Sequence, residues 1–178
     1  MMKKLIIPCV PKPYRAAISI LFLLLPSLAF GAPFRAKVVD VANGDIIMVM
    51  HSGKVTNVHL AEIDCPENKQ AFGAEAKQFT SGMVLGKLVT VRIKETDRTD
   101  RTLGEVILPD GRSLSRELVK AGLAWWNWKD STDMRLGELE QRAREKKVGL
   151  WKANNPIPPW EFREISSWKS RKKSRILR

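Results

Sequence analysis

Three acidic side chains stand where carboxylates that do chemistry are often found, at turns and strand ends. Asp45 follows an Asn-Gly turn, and Asp64 and Glu67 flank a Cys-Pro pair in the stretch VHLAEIDCPEN, residues 58–68. Pro66 fixes its own φ and favours an extended preceding residue, so this loop is stiff. Carboxylates held in this way suit Ca²⁺ or Mg²⁺, which prefer oxygen ligands. The alternative is that they are ordinary turn acids, because acidic residues are common in turns.

Metal sites built from sulfur or imidazole are excluded by composition. The chain has two cysteines and two histidines, at positions 9, 65, 51 and 59. Cys9 lies in the N-terminal segment that is predicted below to be cleaved, so Cys65 stands alone and no Cys/His zinc site can be assembled. A metal site in this protein must therefore use oxygen ligands.

A second group of candidate residues lies in the loop ETDRTDRT, residues 95–102, which carries Arg98 and Arg101. An arginine that faces bound metal can hold a phosphate with two parallel hydrogen bonds. The alternative is a solvated loop whose ion pairs contribute little. Together, the acids and arginines favour phosphodiester hydrolysis: the metal polarises the phosphate, a carboxylate takes a proton from water, and the arginines stabilise the added charge.

The N-terminal segment is predicted to be a signal peptide, residues 1–31. Basic residues precede an apolar run at 16–30, which is shorter than the roughly 20 residues of a membrane-spanning helix. The alternative is an uncleaved membrane anchor. The leader holds four of the 31 basic residues and none of the 19 acids, so residues 32–178 carry a formal charge of +8. A basic exported domain suggests a polyanionic partner.

The elements that must position these residues follow from periodicity. Alternation predicts a three-stranded meander over 34–63, and helical spacing predicts an amphipathic helix over 72–87. Two further strands, two further helices and no repeats complete the pattern, with strands at 88–94 and 103–108 and helices at 115–121 and 134–147. We expect an α+β, mainly β fold: a five-stranded OB-type β-barrel with three helices, a platform common among nucleic-acid binders.

The C-terminal part is expected to lie outside this pattern. Prolines at 156, 158 and 159 predict an extended strap over 154–160, because proline lacks the N–H and restricts its neighbours. Residues 164–178 are basic and lack apolar periodicity, which predicts a disordered tail.

Six ordered blocks of residues resemble the staphylococcal nuclease (thermonuclease) family. They cover residues 37–151 and read Gly44-Asp45, Asp64-Cys65-Pro66-Glu67, Phe72-Gly73-Ala74-Glu75-Ala76, Asp97-Arg98-x-x-Arg101, Leu118-Val119-x-x-Gly122-Leu123-Ala124-Trp125 and Gly149-Leu150-Trp151. The closing block Pro158-Pro159-Trp160-Glu161-Phe162-Arg163 is similar to the tail of many bacterial members. Residues 32–163 are thus identified as a thermonuclease-like OB-fold domain.

The resemblance implies Ca²⁺-dependent cleavage of DNA and RNA at the 5′ P–O bond, leaving 3′-phosphates. Asp45 and Asp64 match the calcium ligands, and Cys65 matches a position that offers its backbone carbonyl to the metal. Glu67 matches the general base, and Arg101 matches the second of two catalytic arginines.

The position of the first catalytic arginine is occupied by His59, which is the main departure from the family. Imidazole is shorter, cannot form a two-pronged contact with phosphate, and is mostly neutral at pH 7 when unperturbed. His59 is a weakened phosphate contact, the mark of a lost one, or a buried core histidine. Two further departures are Asp100, which can compete for Arg101, and Glu62, which adds negative charge beside the acidic loop.

An aromatic cluster over residues 125–128 offers a second kind of substrate contact. Trp128 can stack on bases, whereas Trp125 and Trp151 are expected in the core. With Arg98, Trp128 completes the predicted substrate-binding residues.

Two functions remain in competition. The first is a secreted or periplasmic nuclease that acts as a monomer on DNA and RNA and prefers single strands. It is not inserted in a membrane after the leader is cleaved. Its activity is weakened because His59 replaces an arginine. The second is a catalytically degenerate OB-fold module that binds nucleic acid. The intact acids favour the first, and His59 and Asp100 favour the second. A protein-interaction domain is a third, weaker alternative.

Overall fold

The computed structural model describes residues 32–96 and 101–176. The strands and helices follow in the order β1 Phe34–Asn43, β2 Ile46–His51, β3 Lys54–Leu60, β4 Ile63–Asp64, α1 Gly73–Val84, β5 Leu88–Thr96, β6 Thr102–Ile107, α2 Leu114–Lys120, β7 Trp125–Trp126, α3 Met134–Glu145, a 3-10 turn Gly149–Lys152, and α4 Pro159–Ile176. The predicted leader, residues 1–31, lies outside this part of the chain. No helix of the described residues is both long and apolar enough to cross a bilayer.

Five strands close into a barrel in the order β1-β2-β3-β6-β5, which confirms the predicted OB-type architecture. Neighbouring strands are antiparallel except β3 and β6, which run parallel and close the barrel. The strands alternate because every second side chain points inward. Most inward positions are aliphatic, and Val38, Ile47, Val58, Val91 and Val106 are fully buried.

The helices cover the barrel and build a second, aromatic core. In that core Trp125 and Trp151 are buried and their ring centroids lie 4.4 Å apart in an edge-to-face arrangement. The guanidinium of Arg144 lies 3.7 Å from the centre of the Trp151 ring. Both tryptophans therefore belong to the core, as predicted.

The third strand ends earlier than the sequence pattern predicts. It was expected to continue to Ile63, but β3 ends at Leu60 because Glu62 adopts a left-handed backbone conformation, with φ of 70°. The chain leaves the barrel there, and Ile63 and Asp64 form β4, which pairs with β7. This two-stranded sheet turns Asp64 away from the barrel interior and towards the surface.

The C-terminal segment is helical, where an extended strap to residue 160 and a disordered tail from 164 were expected. Helix α4 begins at Pro159, a residue favoured at the first helical position because its missing N–H would be unpaired there. The Trp160 ring packs on Trp125, with centroids 5.8 Å apart. Apolar periodicity is a poor guide here, because only the first turns of α4 pack on the domain. The described chain thus has four α-helices rather than three.

Candidate active site

A polar cleft of about 950 Å³ opens where β3, β4, β5 and β6 meet α4. Most of the residues singled out in the sequence line it, and so does Arg163, which was not proposed as a site residue. Its charged and titratable side chains are Asp45, His59, Glu62, Asp64, Glu67, Lys94, Glu95, Arg101, Asp130 and Arg163.

Asp45 is positioned by a turn that tolerates no side chain at Gly44. A Cβ at Gly44 would lie 2.8 Å from the Cβ of Ala76 and 2.9 Å from the Sγ of Cys65. The buried hydroxyl of Thr80 donates a 2.6 Å hydrogen bond to the Gly44 carbonyl, which ties the turn to α1. The Cys65 N–H then donates to Asp45 Oδ2 over 3.0 Å, which joins the turn to the acidic loop.

The second oxygen of Asp45, Oδ1, is buried and has no hydrogen-bond partner. Burial raises the pKa of Asp45 to about 6, against the opposing effect of the Cys65 N–H, and the charges of Asp64 and Glu67 raise it further. Loss of hydration destabilises the charged carboxylate, and nearby negative charges add to this effect. Asp45 is therefore an electrostatically unfavourable carboxylate at neutral pH, the condition that a bound cation relieves.

Glu67 is held by the start of α1 and by a glutamine side chain. A Cβ at Gly73 would collide with the Glu67 carbonyl, so only glycine allows the helix to begin this close to the loop. The Glu67 N–H donates to Gln70 Oε1 over 3.1 Å. The same glutamine donates from Nε2 to the Ile157 carbonyl over 2.6 Å. Gln70 therefore connects the acidic loop directly to the C-terminal segment.

Arg163 of α4 contacts both acids of that loop. Its Nη1 and Nη2 donate to the two oxygens of Asp64 over 3.1 and 2.8 Å, and Nη1 also donates to Glu67 Oε1 over 2.9 Å. These bonds, foremost the one to Asp64, raise the pKa of the guanidinium. Sequence reasoning missed this residue, because its partners lie 99 and 96 residues away. The available signal was the closing Pro-Pro-Trp-Glu-Phe-Arg block.

His59 and Arg101 both line the cleft. His59 lies in β3 opposite Leu103 of β6, and it is half-buried rather than enclosed in the core. Arg101 is exposed at the cleft edge. The two side chains thus occupy the same cleft as the acids, whereas Arg98 and Asp100 lie outside the described residues.

The remaining predicted residues occupy different environments. The Cys65 side chain is fully buried, and burial raises the pKa of its thiol. Trp128 is 63% exposed and its ring lies 5.7 Å from the Lys129 ammonium, beyond the residues that line the cleft. Glu62 is paired with Lys94 over 2.8 Å, which compensates the negative charge that it brings to the site.

The donor set of the cleft fits a hard divalent cation. Asp45 offers a buried oxygen without a partner and Asp64 lies close to it, so the two carboxylates can bind a cation that completes its coordination with other oxygen ligands. Within 32–96 and 101–176 no three acidic, histidine or cysteine side chains form a compact ligand group. In the structure as it stands, the positive charge beside Asp64 and Glu67 is the guanidinium of Arg163.

Comparison with known proteins agrees with this geometry. Residues 57–153 match the family model described as "Staphylococcal nuclease homologue". An uncharacterized endonuclease of Escherichia coli O157:H7 is 41% identical over 132 residues, 74% of this chain and 86% of its own length. A micrococcal nuclease of Shigella flexneri is 35% identical over 160 residues, 84% of this chain and 92% of its own. An uncharacterized endonuclease of Haemophilus influenzae is 38% identical, over 71% of each chain. The chain therefore belongs to the staphylococcal nuclease family.

Proposed function

We propose that this protein is a Ca²⁺-dependent nuclease that hydrolyses phosphodiester bonds of DNA and RNA and leaves 3′-phosphate ends. The observation that carries the proposal is the unpartnered buried oxygen of Asp45 beside Asp64 and Glu67, in a cleft that also holds Arg101 and His59. A desolvated carboxylate near two others is costly unless a cation neutralises it. A micrococcal nuclease that aligns with 84% of this chain supports the nuclease part of the proposal.

The roles of the side chains follow from their chemistry. When bound, the cation would polarise the scissile phosphate and lower the pKa of a water molecule. Asp45 and Asp64 would hold it, with the Cys65 carbonyl as a third ligand. Glu67 accepts the proton of the attacking water at a carboxylate oxygen. Arg101 donates hydrogen bonds to the phosphate oxygens as negative charge accumulates on them.

His59 is proposed to act as a weak phosphate contact from the floor of the cleft. A half-buried imidazole donates one hydrogen bond and is positively charged only when protonated. It cannot reproduce the two-pronged contact of a guanidinium. We therefore expect lower activity than an arginine at this position would give.

The substrate is proposed to be single-stranded nucleic acid in an exported setting. Trp128 is exposed near the cleft and offers a ring face on which an unpaired base can stack. Arg98 is proposed as a further phosphate contact. The predicted leader supports a secreted or periplasmic location, and we propose that the protein acts as a monomer.

Cleavage assays on residues 32–178 test the function. Single-stranded DNA and RNA would be incubated with Ca²⁺ or with a chelator from pH 5 to 10, beside Glu67→Gln and His59→Arg. We expect cleavage that the chelator and Glu67→Gln abolish and that His59→Arg increases. Cleavage that survives the chelator would overturn the metal dependence, and activity in Glu67→Gln would overturn the role of the base.

A second candidate function is a binding module without catalysis. The observation in its favour is Arg163, which satisfies Asp64 and Glu67 without any metal. This alternative predicts that the parent protein and His59→Arg remain silent under every metal, while both still bind single strands in a salt-dependent manner.

A further inference from the structure

We propose that Arg163 is a phosphate-binding residue of this site, held on the carboxylates until a cation displaces it. The inference rests on the proposed nuclease function. It adds an arginine of the C-terminal helix to the site residues that were inferred from the sequence and from the family resemblance.

The contact geometry of Arg163 is suited to an exchange of partners. Its guanidinium contacts both oxygens of Asp64, an arrangement that a phosphate group reproduces with two of its oxygens. Half of the Arg163 side chain is exposed, against 18% of Asp64 and 32% of Glu67. The guanidinium can therefore turn away from the carboxylates into the open cleft without leaving a buried position.

A cation and Arg163 compete for the same carboxylate. Both oxygens of Asp64 are engaged by the guanidinium, and a divalent cation on Asp64 would stand beside a like charge. Electrostatic repulsion between the two favours a guanidinium displaced towards solvent, where an incoming phosphate provides its next partner.

The displaced side chain remains within the cleft because the start of α4 is fixed. Trp160 packs on the buried Trp125, and Phe162 lies in an apolar pocket together with Phe72 and Leu150. Gln70 holds the preceding segment through the Ile157 carbonyl. The backbone is thus anchored immediately before Arg163, which keeps the guanidinium close to the acids.

Acidic side chains outnumber basic ones in the cleft, so a phosphate that binds there needs more positive charge than Arg101 alone provides. Among the described residues that line it, Lys94 is already paired with Glu62, and the guanidinium groups are those of Arg101 and Arg163. A phosphodiester that enters beside Asp64 and Glu67 meets repulsion unless a cation and arginines offset it. Arg163 is the arginine in direct contact with those acids.

The test separates this role from a structural one by two affinities that should change in opposite directions, that for Ca²⁺ and that for a nucleotide. Arg163→Gln is compared with the parent and with Arg142→Gln, which removes an exposed arginine that also faces a carboxylate, on α3. Calcium affinity is measured by calorimetry without nucleotide. Affinity for a nucleoside 3′-phosphate, which has no diester bond to cut, is then measured in saturating Ca²⁺.

We expect Arg163→Gln to bind Ca²⁺ about threefold to tenfold more tightly and the nucleoside 3′-phosphate about tenfold more weakly, the range of charge-pair effects at partly exposed sites. Arg163→Lys should fall between Arg163→Gln and the parent, and Arg142→Gln should match the parent. Unchanged affinities, or two affinities that fall together, would overturn the inference, as would tighter Ca²⁺ with unchanged nucleotide binding. A parent chain that binds no Ca²⁺ would remove the proposed function and this inference with it.

Discussion

At the scale of single residues, Asp45 is a buried carboxylate that is also proposed to be a ligand of the cation. Its pKa is raised to about 6 from 3.8, so the folded metal-free protein holds a proton there more tightly than the unfolded chain. The stabilising effect of that proton is complete below pH 3.8 and is lost as the pH rises through about 6. The metal-free protein therefore carries an electrostatic cost at neutral pH.

Replacing Asp45 with asparagine should remove this cost. Asparagine keeps an acceptor for the Cys65 N–H but carries no charge. In chelator, we expect Asp45→Asn to raise the free energy of unfolding by about 1–3 kcal/mol at pH 8 and by little at pH 4. Urea denaturation at both pH values measures this difference. Equal effects at the two pH values would show that burial of the charge is not the cause.

Gly44 should be equally sensitive, for a steric reason. A Cβ there would lie within 2.9 Å of Ala76 and Cys65, both fully buried, so Gly44→Ala must displace the turn that carries Asp45. We expect a loss of about 1–3 kcal/mol, the usual cost of overpacking a core. Gly82→Ala is the matched control, because open space surrounds Gly82 in α1 and alanine there should stabilise by about 0.5–1 kcal/mol. Urea denaturation of both variants decides the matter; similar stabilities would argue against a steric constraint at Gly44.

The sequence predicts the site residues unevenly, for identifiable physical reasons. Asp45, Asp64 and Glu67 could be grouped because each follows a strong local signal, a turn or a proline-stiffened loop. Arg163 could not, because its contact depends on how the chain end returns to the acidic loop. The early end of β3 was also missed, because Glu62 fits the alternating pattern of the sequence and its left-handed backbone conformation, with φ of 70°, is not marked by a glycine.

At the scale of elements, the barrel is the part that periodicity predicts well. Alternating aliphatic residues and short turns specify strands whose inward faces must be buried together. Helix α4 was missed because its amphipathic character is weak and most of its side chains between residues 163 and 172 are exposed. Its position depends on contacts distant in sequence, which are Trp160 on Trp125, Arg163 on the acidic loop, and Gln70 on the segment that precedes the helix.

Gln70→Ala should loosen this connection. The substitution removes the acceptor of the Glu67 N–H and the donor to the Ile157 carbonyl. We expect a loss of about 1 kcal/mol in stability and an increase in amide exchange, relative to the parent, that is larger over residues 160–163 than elsewhere. Hydrogen exchange by mass spectrometry measures the local effect. Gln78→Ala, at an exposed position of α1, is the control, and equal exchange in the two variants would show that Gln70 does not anchor α4.

At the scale of the whole molecule, a cleft lined by more acidic than basic side chains contrasts with a strongly basic chain end. Residues 169–178 carry six basic residues and no acid, at positions 169, 171, 172, 173, 175 and 178. They follow the docked start of α4, which places them downstream of the residue that touches the acidic loop. We expect this basic segment to attract nucleic acid electrostatically without taking part in catalysis.

Removing that segment should change binding without changing the site. We expect a chain that ends at Trp168 to bind single-stranded DNA more weakly in chelator, with a salt dependence whose slope is shallower by up to about 4, since each phosphate neutralised on a single strand contributes about 0.7. Its Ca²⁺ affinity should equal that of the parent, because Arg163 and the acids remain. A full-length chain with glutamine at the six basic positions separates charge from length and should behave like the truncated chain. If that chain binds like the parent, phosphate contacts by the tail are not the source of affinity, and attraction by the rest of the basic surface must account for it.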